Sequence, residues 1–448
     1  MDINDLKNKK IVILGFAREG FSSLKFLRRK LGNINISVAD QKNINQFNSK
    51  YKQTLLNDKN IDLILGKNYL KKINKFDIII KTSGLKLDLI ATSKLTKKNI
   101  KITTNLNIFL ANIKGKIIGV TGTKGKSTTA TIIYKILKQA GKKTILVGNI
   151  GKPFLDFITK DSYNTFFIAE LSSYQLDTLN GQLDYAIITS LFPEHINYHG
   201  SLKKYYQAKM NIANHIKPSG ALIYNSNYKL IWSYIKNKKI KKIKFNSIDK
   251  KIINPKNIKI IGNHNLENIQ ACIEITRILK INPQIIAKTI TKFTGLKNRL
   301  EYVGRFKQIN FYNDVLSTTP ESTIKAIESL KNKKLWTIIV GGFDRGLNYN
   351  KLIKKILSSN IKTVICWPNT GEKIFKQLNK CKNNKTIIKV KNMKQTIINC
   401  FQHTPKHHSV ILSPAASSYD LYENYNQKGS EYKKLVKKFA NTNNRNIR

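Results

Sequence analysis

Short apolar runs alternate with polar stretches of helical character through roughly the first 110 residues of the chain. The apolar runs lie at 9–15, 35–40, 62–66 and 76–84, and a helical pattern covers Gly20–Arg29 between the first two. Strands that alternate with helices predict a parallel sheet whose two faces are both covered.

The same alternation continues in two later blocks. The second block opens at 114–141 with a strand, a glycine-rich turn and a helix that Gly141 is expected to end. Further strands are predicted in it at 165–173 and 184–197. The third block begins near Gly295–Arg299, and its predicted strands lie at 309–314, 335–342, 362–367 and 409–414. The whole pattern predicts an α/β protein.

Composition places the chain among ordinary globular proteins. It has 448 residues, of which 41% are hydrophobic and 24% charged, a length typical of several domains. No apolar run reaches the ~18 residues of a membrane helix, and the segment MDINDLKNKK lacks the apolar core of a signal peptide. The four cysteines lie far apart without a CxxC pair, which suits a reducing compartment. We therefore expect a cytoplasmic protein without membrane insertion.

The charge balance is strongly basic, since 80 Lys and Arg against 26 Asp and Glu give a formal net charge of +54. Such a balance is typical of proteins that bind nucleic acid or an anionic membrane. The lysines are nevertheless spread over all segments, and the densest run, Lys236–Lys244, has no interleaved aromatic residues. We expect that run to be a solvated loop or sheet edge and expect no nucleic acid to be required. A nucleic-acid-associated ATPase is the alternative.

The segment GVTGTKGKS at 119–127 follows an apolar strand and precedes a helix, which is the context of a phosphate-binding loop. Gly122 and Gly125 allow backbone N–H groups to approach phosphate oxygens, and the helix N-terminus adds its positive end. Lys126 is expected to reach the β- and γ-phosphates. Ser127 or Thr128 would hold Mg²⁺.

The spacing of this loop departs from the strict GxxxxGK[ST] motif, because Val120 stands where the first glycine belongs. The loop is therefore a variant of the form TGTxGKST. A second glycine turn, GFAREG at 15–20, has the spacing GxxxxG and does not support a dinucleotide site. With Asp40 at the end of the next strand, it is either a plain helix-entry turn or a site for another nucleotide.

Candidate metal ligands follow the strands of the second block. Glu170 ends one strand and His195 follows another, at the sheet edge where open α/β sheets bind ligands. Together they could supply an oxygen and a nitrogen to Mg²⁺, although His195 alone can also be a structural hydrogen-bonding residue. Asn265 and Asn268 stand three apart at a predicted helix start, where they either contact a purine edge or cap the helix.

Ten segments, in order along nearly the whole chain, resemble those of the Mur ligases. They are TGTKGKST (121–128), GNIG (148–151), ELSSYQL (170–176), PEHINYHGS (193–201), YYQAK (205–209), GNHNLENIQA (262–271), NRLE (298–301), YND with TTPEST (312–323), GGFDRG (341–346) and LSPAASSYDLYENYNQKGSEY (412–432). Within the family they are most similar to the enzymes that add glutamate to UDP-N-acetylmuramoyl-alanine. The resemblance implies a Rossmann-like UDP-sugar-binding domain (1–112), a central P-loop-type ATPase domain with a parallel sheet (113–295) and a Rossmann-like C-terminal domain (296–448) that closes over glutamate and ATP.

The resemblance also implies the reaction. The carboxylate of UDP-N-acetylmuramoyl-L-alanine is phosphorylated by ATP, and the amine of glutamate then attacks the acyl phosphate. We accordingly expect an ADP-forming amide ligase of peptidoglycan precursor synthesis that needs ATP and Mg²⁺ and is a monomer.

Residue roles carry over from the family motif by motif. Catalysis is expected from Lys126, His195 and Lys209, of which Lys209 is either carbamylated, as in the family, or a surface lysine. Contacts to ATP are expected from Gly122, Thr123, Lys124, Gly125, Lys126, Ser127, Thr128, Asn265, Asn268, Arg299 and Asp314. Contacts to the other substrates are expected from Gly15, Asn149, Ser172, Gln175, Thr318, Arg345, Ser418 and Tyr425. The expected Mg²⁺ ligands are Ser127, Glu170, His195 and carbamylated Lys209.

Two positions depart from the family pattern. Lys124 replaces the usual Asn of the phosphate loop, and Leu316 stands where a lysine would pair with a substrate carboxylate, a contact normally worth ~1.5–3 kcal/mol. The segments GFAREG, TGTKGKST and STTPES are more similar to a branch that adds L-glutamate. We therefore favour L-glutamate, with D-glutamate as the alternative. A folylpolyglutamate synthase or another peptide ligase is disfavoured by the block that precedes the phosphate loop.

Overall fold

The computed structural model describes residues 1–86, 100–149, 152–262, 264–418 and 422–441. The chain forms two compact units, one made of residues 1–257 and 264–290 and the other of residues 258–263 and 291–448. The first unit contains two sheets and the second contains one. The α/β class predicted from the sequence is confirmed.

The first sheet has the strand order β3-β2-β1-β4-β5, and all its pairs are parallel. Its elements are β1 (Ile11–Leu14), α1 (Arg18–Leu31), β2 (Ile36–Asp40), α2 (Ser49–Asn57), β3 (Ile61–Leu65), β4 (Ile78–Lys81), β5 (Lys101–Thr104) and α3 (Asn105–Asn112). The chain order reverses between β1 and β4, so a crevice opens at the carboxyl ends of these two strands.

The second sheet has the order β11-β10-β9-β6-β8-β7 and is also parallel. Its elements are β6 (Lys116–Thr121), α4 (Lys126–Gln139), β7 (Lys143–Gly148), β8 (Thr165–Glu170), α5 (Ser173–Leu176), β9 (Leu183–Ile188), α6 (Ile196–His199), α7 (Leu202–Met210), β10 (Ile216–Asn225), α8 (Lys229–Ile235) and β11 (Lys241–Phe245). Two helices follow, α9 (His264–Ile278) and α10 (Pro283–Lys292). The central strand β6 lies between β8 and β9, so the loop that follows it lies beside the loops after both neighbours.

The third sheet has the order β12-β13-β17-β14-β15-β16, in which only the β12–β13 pair is antiparallel. Its elements are β12 (Glu301–Phe306), β13 (Ile309–Asn313), α11 (Pro320–Ser329), β14 (Leu335–Gly342), α12 (Asn350–Leu357), β15 (Thr363–Asn369), α13 (Thr370–Asn379), β16 (Thr386–Lys389), α14 (Met393–His403), β17 (Ser409–Leu412) and α15 (Tyr425–Ala440).

The interior strands are buried on both faces. Strands β1, β2, β4 and β17 are buried along their whole length, as expected of parallel strands covered by helices. Every predicted strand run overlaps a strand, and the helix predicted at Gly20–Arg29 runs from Arg18 to Leu31. None of the described helices combines the length and the apolar character needed to cross a bilayer.

Candidate active site

The phosphate loop connects β6 to α4 in a conformation that requires glycine. Gly122 and Gly125 have φ angles of +143° and +89°, which side-chain-bearing residues rarely adopt. A Cβ atom at position 125 would lie 2.2 Å from Oδ1 of Asn268 in α9. The loop and α9 are therefore in close contact, and Asn268 lies next to the place where α4 begins.

The loop after β9 holds the phosphate loop in place. Ser190 accepts the backbone N–H of Thr123 at its carbonyl (2.9 Å) and that of Lys124 at its hydroxyl (2.9 Å). The Thr123 hydroxyl lies 3.0 Å from the hydroxyl of the buried Tyr205. The backbone N–H groups of Thr123 and Lys124 thus donate within the protein. The backbone N–H groups in the first turn of α4 are therefore the ones that could bind an anion.

Two lysine side chains converge on one carbonyl oxygen of the loop. Lys126 Nζ and Lys209 Nζ donate to the oxygen of Gly122 at 2.9 and 2.8 Å, and Lys126 also donates to Thr123 O at 3.0 Å. Lys209 is only 2% exposed, so the alternative of a surface lysine is wrong. Burial, together with the charge of Lys126, lowers the pKa of Lys209 well below its usual value.

Glu170, the last residue of β8, has one carboxylate oxygen held and the other free. Asn149 Nδ2 donates to Glu170 Oε1 at 3.2 Å, and the backbone N–H of Asn149 donates to Glu170 O at 3.0 Å. The other oxygen, Oε2, is buried and has no hydrogen-bond partner among the described residues. A buried carboxylate oxygen without a partner is costly, and a cation bound there would satisfy it.

Glu194 and His195 line a cavity of about 450 Å³ after β9. Glu194 forms an ion pair with Lys124, and His195 Nε2 lies 3.6 Å from Glu194 Oε2. His195 Nδ1 lies 3.0 Å from the hydroxyl of Tyr174, and its backbone is left-handed, with φ +56°. This backbone conformation directs the chain from the end of β9 into α6.

The surroundings of Glu194 and His195 lower the pKa values of both side chains. Burial disfavours the ionised form of Glu194, but the hydrogen bond and charge of Lys124, with His195 and Lys126, outweigh it and lower the pKa of Glu194. Burial lowers the pKa of His195 against the charge of Glu194, and Lys209, Lys126 and Lys124 lower it further. Neutral imidazole is the form that binds metal ions.

Residues at the carboxyl edge of the second sheet fit a Mg²⁺ ion. Glu170 offers the unpartnered oxygen, His195 is favoured in its neutral form, and Ser127 lies in the first turn of α4. In the described part of the chain, no three His, Cys, Asp or Glu side chains form a preformed metal cluster. That sparse set suits Mg²⁺, which commonly binds one or two protein carboxylates together with substrate phosphates and water.

The two asparagines of α9 lie in its first two turns. Asn265 is the second residue of the helix, and its Oδ1 accepts from Nδ2 of Asn268 at 3.0 Å. Asn268 is 5% exposed and lies against Gly125. Asn268 therefore lies beside the phosphate loop, and the contact of the pair with a purine stays a prediction.

Gly15 lies at the crevice of the first sheet. It has φ +88°, and a Cβ atom there would lie 2.4 Å from the hydroxyl of Thr82, just after β4. Asp40 accepts the backbone N–H groups of Phe16 (2.6 Å) and Lys42 (2.9 Å). Asp40 thus shapes the turns after β1 and β2 with its carboxylate, and the loops after β1, β2 and β4 meet at this crevice.

Ser172 and Gln175 form a capping box at the start of α5. Gln175 Oε1 accepts from the backbone N–H and the hydroxyl of Ser172 at 3.0 and 3.1 Å. Gln175 Nε2 donates to Glu19 of α1 at 3.2 Å. Ser172 and Gln175, both predicted substrate contacts, are therefore hydrogen-bonded to each other. Gln175 is also hydrogen-bonded to α1, the helix that follows β1 of the first sheet.

In the second unit, Asp314 organises the turn that carries Arg299. The Asp314 carboxylate accepts from Leu300 N at 3.0 Å and from the hydroxyls of Ser317 and Ser413. Burial raises its pKa to about 6, against these hydrogen bonds and the charge of Arg299. Asp314 is 3% exposed, so its carboxylate acts inside this unit.

The loops after β13, β14 and β17 meet at one end of the third sheet. Arg345 Nη2 donates to Thr318 O at 2.6 Å. The Ser418 hydroxyl is buried without a hydrogen-bond partner among the described residues. Tyr425 is the first residue of α15 and is exposed. Thr318, Arg345 and Ser418 therefore lie on neighbouring loops, where an additional ligand could satisfy the Ser418 hydroxyl.

Several residues at these sites had no signal in the sequence. Tyr174 contacts His195, Tyr205 contacts Thr123, and Glu19 contacts Gln175 across 156 positions of sequence. A tyrosine or glutamate in a helix carries no pattern that reports such a distant partner. Only the fold brings these pairs together.

Comparison with known proteins identifies the family. The Mur ligase middle domain matches residues 120–259. The UDP-N-acetylmuramoylalanine–D-glutamate ligase of Streptococcus pyogenes serotype M49 (strain NZ131) is 32% identical over 448 residues, which cover 96% of this chain and 97% of that protein. The chain belongs to the Mur ligase family. The enzyme of the same name from serotype M5 (strain Manfredo) is 31% identical with the same coverage.

Solved Mur ligase structures share the fold. The MurF ligase of Thermotoga maritima, in complex with ADP, has a TM-score of 0.58 at 14% identity and covers 98% of each chain. The UDP-N-acetylmuramate–alanine ligase MurC of Thermotoga maritima has a TM-score of 0.57 at 16% identity and covers 96% of this chain and 100% of that one. The three α/β regions are those of the Mur ligase fold, as the sequence resemblance implied.

As a Mur ligase, the protein is an ATP-dependent amide ligase of peptidoglycan synthesis. The alternative of a nucleic-acid-associated ATPase has no support in these comparisons. Both relatives are named for D-glutamate, whereas the sequence analysis preferred L-glutamate for this chain.

Proposed function

We propose that this Mur ligase joins D-glutamate to UDP-N-acetylmuramoyl-L-alanine and converts ATP to ADP and phosphate. The observation that supports this proposal most strongly is the group around Gly122, where Lys126 and Lys209 share one carbonyl oxygen. The unpartnered oxygen of Glu170 belongs to the strand beside the one that ends in this loop. Such a group suits the transfer of a phosphoryl group to an acid.

The chemistry requires activation of a carboxylate. An oxygen of the alanine carboxylate attacks the γ-phosphorus, and the bond from that phosphorus to the β-phosphate oxygen breaks, so ADP leaves. The neutral amine of glutamate then attacks the acyl carbon, the carbon–oxygen bond to phosphate breaks, and the amine loses a proton. Lys126 would neutralise charge on the transferring phosphoryl group once its side chain turns from the carbonyls of Gly122 and Thr123.

Mg²⁺ would be held by Glu170, His195 and Ser127, and when bound it would neutralise phosphate charge. Lys209 would join these ligands as a carbamate. A neutral amine is needed to add CO₂, and the burial of Lys209 beside Lys126 favours that form. The carbamate would replace an amine by an anionic oxygen ligand.

The three regions would divide the substrates. The first domain (1–112) would bind the UDP group at the crevice beside Gly15, and the central domain (113–295) would bind ATP with Asn265 and Asn268 near adenine. Asn149, Ser172 and Gln175 would face the muramoyl-alanine arm. The C-terminal domain (296–448) would bring glutamate and the remaining nucleotide contacts through Thr318, Arg345, Ser418, Tyr425, Arg299 and Asp314. We propose a monomer.

The stereochemistry is tested with purified enzyme, ATP, Mg²⁺ and UDP-N-acetylmuramoyl-L-alanine. D-glutamate and L-glutamate are supplied in parallel, and the product is identified by mass and by chiral analysis of its glutamate. The proposal predicts a product with D-glutamate. Product formed from L-glutamate alone would support the branch suggested by GFAREG and STTPES instead.

A further inference from the structure

Glu19, in the first turn of α1, joins two parts of the first unit with its side chain. Its Oε2 accepts from the backbone N–H and the hydroxyl of Ser83, at 2.8 and 2.6 Å. Its Oε1 accepts from Nε2 of Gln175 at 3.2 Å. One carboxylate thus binds the turn after β4 with one oxygen and the start of α5 with the other.

The turn at Ser83 also contacts the loop that carries His195. The hydroxyl of Tyr198 donates to Ser83 O (3.1 Å) and to Leu85 O (3.2 Å). The ring of Tyr198 packs edge-on against that of Tyr174 at 4.2 Å, and the Tyr174 hydroxyl reaches His195. The turn is therefore connected to both predicted functional loops of the second sheet.

A buried lysine lies near the Glu19 carboxylate. Lys81, the last residue of β4, is 1% exposed. Burial lowers the pKa of Lys81, and the charges of Glu19 and Asp177 oppose that lowering. The carboxylate is thus placed to fix Ser83 and Gln175 together.

We propose that Glu19 is a positioning residue for the UDP-sugar substrate, a role that rests on the proposed function. It holds the turn after β4 in a fixed position relative to Gln175. The turn lies at the crevice where the UDP group would bind, and Gln175 would lie beside the muramoyl-alanine arm. Glu19 acts through Ser83 and Gln175 and takes no part in the chemistry.

A carboxylate suits this position because both of its oxygens accept. In Glu19→Gln, one oxygen can still accept from Ser83, but the new amide N–H₂ group would face the N–H₂ group of Gln175. The double variant Glu19→Gln/Gln175→Glu restores the pattern, because the amide introduced at position 19 would donate to a carboxylate at position 175. That carboxylate can still accept from Ser172.

The test measures the dissociation constant of UDP-N-acetylmuramoyl-L-alanine by calorimetry, which needs no turnover, and the KM values for this substrate and for ATP. Glu19→Gln should weaken binding of the UDP-sugar about tenfold and leave the KM for ATP within about twofold. Relative to Gln175→Glu alone, in which two carboxylates face each other, the double variant should bind the UDP-sugar more tightly. Glu321→Gln is the matched control, because Glu321 is also an acid in the first turn of a helix.

Unchanged UDP-sugar binding in Glu19→Gln, while the wild type binds it, would overturn this inference without touching the proposed function. Equal weakening of ATP binding, or a double variant that binds the UDP-sugar no more tightly than Gln175→Glu alone, would also overturn it. If Glu19→Gln does not fold, Ser83→Ala removes one of the same hydrogen bonds and should shift UDP-sugar binding in the same direction. A wild type that binds the UDP-sugar but forms no product would contradict the proposed function alone.

Discussion

Two lysine amines, those of Lys126 and Lys209, share the carbonyl oxygen of Gly122, and this arrangement bears on the protonation of Lys209. Because Lys209 is buried beside Lys126, its neutral form is favoured. We predict that removal of CO₂ and bicarbonate slows the enzyme and that their return restores the rate, because carbamylation consumes CO₂. Lys209→Arg should be at least about 100-fold slower and should not respond, since a guanidinium is not carbamylated. A wild-type rate that is independent of CO₂ would contradict the carbamate.

Leu316 is the residue at which this chain departs most plainly from its family in the glutamate region. It is half-buried, and its backbone N–H donates to Asn298 O at 3.2 Å. We predict that Leu316→Lys lowers the KM for glutamate roughly 10- to 100-fold, because a charge-assisted hydrogen bond is worth ~1.5–3 kcal/mol. Leu316→Met is the uncharged control. Steady-state kinetics with varied glutamate check this, and an equal KM in both variants would show that position 316 lies away from the substrate.

The buried carboxylate of Asp314 predicts a pH effect on stability. Its pKa in the folded protein is about 6, above the usual 3.8, so the folded state holds this proton more tightly than the unfolded state. Its contribution to stability therefore falls as pH rises from about 4 to 6, by at most ~3 kcal/mol, and is constant above that window. We predict that the thermal midpoint of Asp314→Asn changes less between pH 4.5 and 7 than that of the wild type. Parallel pH profiles would contradict the raised pKa.

At the scale of elements, α4 and its glycines allow a matched comparison. Gly125 precedes the helix with φ +89° and Gly141 follows it with φ +73°, but only Gly125 has an atom within the reach of a Cβ. Gly125→Ala should abolish ATP binding, because both the strain and the contact with Asn268 displace the loop. Gly141→Ala should cost only about 1–2 kcal/mol of stability and leave ATP binding intact.

Binding of ATP to both alanine variants, measured by calorimetry, checks the role of the loop. Gly125→Ala/Asn268→Ala removes the contact and leaves the strain, so its comparison with Asn268→Ala alone shows how much of the loss comes from strain. Full ATP binding in Gly125→Ala would contradict the assignment of this loop to phosphate.

Interior strands were predictable, and most edge strands were not. The predicted runs include β1, β6 and β14, which are buried on both faces and therefore read as continuous apolar segments. Of the described strands that the pattern missed, β5, β7, β11, β12 and β16 lie at sheet edges, where one side is solvated. The remaining one, β10, contains Pro218 and Gly220, which interrupt its apolar pattern.

The site was predictable where a motif is continuous in sequence. The phosphate loop followed from glycine spacing before a helix, and the family motif pointed to Lys209. The geometry around them was not predictable, because the Glu19–Gln175 and Lys209–Gly122 contacts depend on how distant loops meet. The free oxygen of Glu170 likewise depends on Asn149, which lies at the end of another strand.

At the scale of the whole molecule, part of the net charge of +54 lies at the edge of a sheet. Lysines of the run Lys236–Lys244 lie partly on β11, an edge strand of the second sheet. Lysine on an exposed edge opposes pairing with other chains. The expectation that Lys236–Lys244 lies at a loop or sheet edge is confirmed. A basic surface also attracts anionic substrates.

The most direct test of the account is the release of ADP by the purified enzyme with Mg²⁺, measured against product formed. We predict one ADP per amide product, release only when UDP-N-acetylmuramoyl-L-alanine and D-glutamate are both present, and none in Lys126→Ala, which should still bind the UDP-sugar. Release of ADP without the UDP-sugar, release at the wild-type rate in Lys126→Ala, or no release with either enantiomer of glutamate would contradict it.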